Sequence, residues 1–115
     1  MPVEMGRERF EELVGEALDR VPAELTRLLD NVVVLVEDEA PEPGLLGLYE
    51  GYALTDRGWD YSAVLPDRIM IFRWPILRVC ATEADVVREV TVTVVHEIAH
   101  HFGIGDARLH QLGWG

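Results

Sequence analysis

Val94-Val95-His96-Glu97-Ile98-Ala99-His100-His101-Phe102-Gly103-Ile104-Gly105-Asp106 is the stretch from which the rest of the chain is best read. It contains His-Glu-x-x-His, with two imidazoles four residues apart. On an α-helix that spacing puts both rings on one face, one turn apart. Ring nitrogens so placed reach a single zinc ion at about 2.0–2.1 Å. Glu97 follows about 100° around the axis from His96, where a carboxylate reaches a zinc-activated water without displacing it.

The surrounding residues support a helix with this orientation. With His96 at 0°, His100 falls at about 40° and Gly103 at about −20°. Val87, Thr91, Val94, Val95, Ile98 and Phe102 gather on the far side, between roughly 160° and −100°. The helix, expected from about Glu83 to Phe102, therefore buries one side and presents the histidine pair on the other. His101 lies at about 140°, away from His96, and reads as a partly buried residue behind the site or in touch with substrate. Glu89, at about 20° and two turns upstream, is a candidate to support the ligands.

Zinc needs at least a third protein ligand, and Asp106 is the best candidate. Gly103 can leave the helix in the left-handed conformation that other residues resist, and Gly105 adds a second permissive point. The chain can then turn back and deliver Asp106 to the ion. Asp106 is also placed to cap a short helix, Ala107-Arg108-Leu109-His110-Gln111-Leu112, which Gly113 would end; the two roles compete for the same oxygens. His110 is a candidate for metal or substrate contact.

Further out, Phe10, Leu13, Val14, Ala17, Leu18 and Val21 predict an amphipathic helix over roughly 6–20. Pro22 opens a second, short helix with Leu25, Leu28 and Leu29 as its buried face. Val32 to Val36 is nearly continuous and β-branched, which predicts a central strand buried on both faces. An acidic turn follows, from Glu37 to Gly44. Leu45 to Tyr52 reads as a short strand or irregular turn, and Thr55 to Pro66 as a loop anchored by Trp59 and Tyr61. Arg68 to Trp74 predicts a second strand, stopped by Pro75, with arginines near its ends that suit an edge. The residues from Ile76 to Thr82 then connect to the long helix.

Composition narrows the class. The 115 residues form one domain, and 49% are hydrophobic, enough for a core. The net charge of −11 argues against nucleic acid and anionic membranes as partners. The single cysteine, Cys80, excludes an intramolecular disulfide and a cysteine-rich zinc knuckle, and reads as a small buried hydrophobe. No apolar run resembles a secretory leader or a membrane span, so a cytoplasmic location is expected.

His96-Glu97-x-x-His100-x-x-Gly103-x-x-Asp106 resembles the extended zinc motif of metzincin-like metallopeptidases in the variant with aspartate as third ligand. Across nearly its full length the chain resembles the small bacterial minimal zincins, the zincin-like metallopeptidase family. Leu46-Gly47-Leu48-Tyr49-Glu50-Gly51, Leu65-Pro66-Asp67-Arg68-Ile69, Val95-His96-Glu97-Ile98-Ala99-His100-His101-Phe102-Gly103 and Leu109-His110-Gln111-Leu112-Gly113 carry the likeness. The resemblance implies an α/β (α+β) zincin-like fold, a single domain over 1–115 in which N-terminal helices and a long metal-binding helix pack on a small mixed sheet. It implies one zinc ion on His96, His100 and Asp106, with Glu97 as base and Gly103 at the turn. Larger metzincins place a methionine turn beneath the site, whereas no methionine follows Met70 here. Another segment then builds the floor, or the site is simpler.

The expected reaction is hydrolysis of a peptide or protein substrate by zinc-activated water, with Glu97 moving the proton. Tyr49, Tyr52, His101 and His110 have the chemistry to stabilise the oxyanion. The strand from Arg68 to Trp74 could pair with an extended substrate if it flanks the cleft. The rival reading is a non-catalytic metal-binding structural or protein-interaction module on the same fold.

Overall fold

The computed structural model describes residues 2–51 and 66–114. The elements run α1 (Arg7–Arg20), α2 (Ala23–Thr26), a 3-10 turn (Arg27–Leu29), β1 (Val32–Glu37), β2 (Gly47–Glu50), β3 (Asp67–Phe72), α3 (Arg73–Arg78), α4 (Glu83–Phe102) and α5 (Asp106–Gln111). The expected loop anchors Trp59 and Tyr61, and the site candidate Tyr52, lie outside the described residues.

α4 is the spine of the fold. Thr82 starts it with a capping box: its hydroxyl accepts from the Asp85 N–H, while the Asp85 carboxylate accepts from the Thr82 N–H. A further hydrogen bond from the Ala81 N–H contributes most to holding the Asp85 carboxyl below its ordinary range. Val86, Val90, Val94, Val95 and Ile98 are fully buried. Phe10, Leu13, Val14 and Ala17 of α1 meet this apolar side, so α1 covers α4 as its 3.6-residue pattern predicts. The expectation for Phe102 is corrected: it is 40% exposed, because the last turn of α4 runs past the end of α1.

The sheet is mixed, in the order β1-β3-β2 among the described residues. β1 pairs with β3 in parallel and β2 with β3 antiparallel. This reverses the predicted placement of the two long strands. β1 is an edge strand rather than a central one, with Val33 and Leu35 each 38% exposed. β3 is central and pairs on both sides, with Ile69 and Ile71 fully buried. It also ends two residues earlier than predicted. Arg73 and Trp74 open α3, and Pro75 lies in its first turn, where the missing N–H would have had no helical partner. The guanidinium of Arg73 donates to Asp38 at 2.9 Å and to the Met5 carbonyl at 3.0 Å, so this arginine is buried rather than at a solvent edge.

β2 runs close against α4. Register pairs Gly47 with Ile71 and Tyr49 with Ile69, which puts Gly47 and Tyr49 on the α4 side of the sheet. A Cβ on Gly47 would sit 2.5 Å from Thr93 Cγ2 and 3.1 Å from the Met70 carbonyl. Gly47→Ala is therefore expected to destabilise the fold by about 1–3 kcal/mol through overpacking, read from urea unfolding. An unchanged midpoint would show that β2 does not press on this helix. Thr93 is one turn before Glu97, so the same close approach sets the distance between β2 and the motif.

Candidate metal centre

His96 and His100 project from the exposed side of α4, as the wheel predicts. Together with Asp106 they line one cleft of about 230 Å³, closed by Ala99, Ile104 and Leu109. The other lining residues are aliphatic and come from α4, the following turn and α5.

The turn brings Asp106 back by a specific backbone device. Gly103 has φ 69° and ψ 29°, and the Ile104 N–H donates to the Ala99 carbonyl at 2.8 Å. That left-handed closure caps the last turn of α4 and reverses the chain. Nothing lies near a Cβ built on Gly103, so Gly103→Ala meets only the conformational penalty, about 1–2 kcal/mol. Chemical denaturation reads this directly, and a gain in stability would contradict the turn. Gly105 is no second left-handed point. It is extended, with φ −77° and ψ 165°, and is the N-cap of α5.

Asp106 is the first residue of α5 rather than its cap, so capping does not claim its carboxylate. Among the described residues it is exposed and makes no side-chain hydrogen bond or ion pair. α5 is held in place by buried Leu109 and by Arg108, which pairs with Glu24 of α2. Its far end closes with Gly113 at φ 88°, the Gly113 N–H on the His110 carbonyl and the Trp114 N–H on the Leu109 carbonyl.

Glu97 is half-buried and does not line the cleft that His96, His100 and Asp106 share; it turns toward β2. Its Oε1 accepts the Tyr49 backbone N–H at 2.9 Å. The Leu46 carbonyl faces β3, where it accepts from the Phe72 N–H, so strand alternation turns the Tyr49 backbone away from β3. The Tyr49 hydroxyl donates to Asp67 Oδ2 at 2.8 Å. Its ring stacks on His101, with centroids 3.8 Å apart and planes 16° off parallel, and Phe102 meets it edge-on. Tyr49 and His101 thus lie on the β2 side of α4. His110 lies on the other side: with His96 and Asp106 it lines the groove adjoining the histidine cleft.

Sequence reasoning missed two residues here. Asp67 anchors Tyr49 and lies in a segment already notable for its family likeness. Trp114 lines the adjoining groove, and only the backbone closure after Gly113 brings it there. Glu89 lines neither cleft and instead acts on Cys80, whose thiol is pushed up to about 11, first by burial and then by Glu89 and Asp85.

Among the described residues no three His, Cys, Asp or Glu side chains form a ready-made ion cluster. The donor set nevertheless suits zinc in its chemistry. Two imidazoles and a carboxylate share one cleft, all exposed, with hydrogen-bonding capacity that no other described group takes up.

A long helix carrying His-Glu-x-x-His packs across a small mixed sheet and ends in a glycine turn. The chain belongs to the zincin-like metallopeptidase family, whose model matches residues 29–114. Among solved structures it is similar to a conserved hypothetical protein from Thermo thermophilus, at 31% identity and a TM-score of 0.59, over 85% of this chain and 94% of that one. No curated protein matches it. No helix of the described residues is long and apolar enough to cross a membrane.

Proposed function

We propose that this chain is a zinc-dependent peptide hydrolase in which His96, His100 and Asp106 hold one zinc ion and Glu97 is the general base. The observation that carries this reading is the single cleft shared by the two motif histidines and the returning aspartate. When bound, zinc supplies the Lewis acidity that makes water nucleophilic at neutral pH and polarises a scissile carbonyl.

The remaining work falls to the chain's own groups. The Tyr49 amide holds Oε1 of Glu97, which leaves Oε2 to take a proton from the attacking water. The same carboxyl then passes that proton to the leaving amine. His110 shares a groove with His96 and Asp106, and among the described candidates it is the one we assign to a developing oxyanion. An extended peptide would not add to β3, which already has a neighbour on each side. Peptide or protein is the expected substrate class.

The test is chelation and restoration. Cleavage of a mixture of short peptides by purified protein should stop after zinc is stripped and return when zinc is restored. Cleavage that persists without the metal would contradict the proposal.

A further inference from the structure

The face that carries the histidine cleft has a second concavity. It encloses about 530 Å³ and is lined by His96, Asp106, Ala107, Leu109, His110 and Trp114. Three of these, His96, Asp106 and Leu109, also line the smaller cleft, so the two spaces adjoin. A molecule bound over the histidine pair has its flank in the larger groove. The volume lies within the range of sites that hold small ligands, which are mostly apolar with few polar groups.

Ala107, Leu109 and Trp114 supply carbon surface. Leu109 is 5% exposed and forms the base. Trp114 reaches the groove because Gly113, at φ 88°, folds the chain back until the Trp114 N–H meets the Leu109 carbonyl at 2.8 Å. The indole is half-buried, a rigid wall with little conformational freedom left to lose. Charge selects against ionic occupants. An acidic side chain would meet Asp106 and the field of a chain with net charge −11. A basic one would lie beside the ion held by His96 and Asp106.

We propose that this groove is a substrate side-chain subsite for a large apolar or aromatic residue next to the cleaved bond, with Trp114 setting the preference. Its position beside the bond rests on the zinc reading of His96 and Asp106; its shape and chemistry do not.

The experiment measures binding rather than turnover. Zinc-free and zinc-loaded Glu97→Gln protein is titrated calorimetrically with acetyl-Gly-Phe-amide, acetyl-Gly-Lys-amide and acetyl-Gly-Glu-amide. The indole N–H resonances of Trp114 and Trp74 are followed in parallel, Trp74 being a reference that lines neither space. The expected result is at least tenfold tighter binding of the Phe peptide and a shift confined to Trp114. Trp114→Ala should bring the three affinities within about twofold, while Trp114→Leu keeps most of the preference and guards against a folding defect. Equal affinities in the parent protein, or a preference untouched by Trp114→Ala, overturn the proposal. A Phe preference in protein that takes up no zinc upholds the groove and defeats the zinc reading, which separates the two failures.

Discussion

Replacing Glu97 by Gln should abolish measurable peptide turnover while leaving zinc content unchanged. The substitution keeps the shape of the side chain, and its amide oxygen can still accept the Tyr49 N–H that now meets Oε1 at 2.9 Å. The register of β2 on α4 is therefore preserved. What is lost is the ability to take a proton and give it back. Positioned acid–base groups contribute about 10²–10⁴-fold, so kcat should fall by that factor with little change in KM. Elemental analysis of the same preparation reports the metal. Retained turnover would end the general-base assignment. Lost turnover together with lost zinc would mean that Glu97 serves the ion and not the proton.

His96→Ala should remove zinc binding and, with it, the stability that zinc confers. His96 is exposed, so the side chain carries little packing and the metal-free variant should unfold much like the metal-free parent. The difference appears when zinc is added. With free zinc at a hundredfold excess over the dissociation constant, the parent gains about 2.7 kcal/mol, on the order of 10 °C in melting temperature for a domain of this size. His96→Ala should show none of this gain, and His100→Ala should behave the same way. The comparison isolates the metal because the linkage acts only through binding to the folded state. A full zinc-dependent shift in His96→Ala would mean that the ion sits elsewhere.

The parts of this fold legible in the sequence are those set by local periodicity. The wheel around His96 places Val94, Val95 and Ile98 in the core and the two histidines in the open, and the structure agrees. Gly103 announces its left-handed turn because few other residues adopt one without cost. Strand order was not legible. Val33 and Leu35 are as apolar as a doubly buried strand requires, yet both are exposed on an edge, and hydrophobicity alone cannot separate the two cases. Arg68 read as an edge marker, but its charge is met across the central strand pair by Glu50, 2.5 Å away and opposite it in register. Arg73 misled for a similar reason, since Asp38 and the Met5 carbonyl satisfy it inside the protein.

The site divides the same way. The motif histidines, Glu97, the glycine turn and Asp106 are close in sequence, and their spacing on the helix and turn can be read directly. The Tyr49 amide on Glu97 and the Asp67 carboxylate on the Tyr49 hydroxyl depend on which strand lies next to α4. That pairing joins residues 48 positions apart, and no local pattern specifies it.

X-ray absorption at the zinc edge of the loaded protein addresses the shared ion itself. The expected spectrum is one zinc per chain with two imidazole nitrogens at about 2.0–2.1 Å, the remaining shell oxygen, and no sulfur. Fewer than two imidazoles, or a sulfur from Cys80 in the shell, would contradict it.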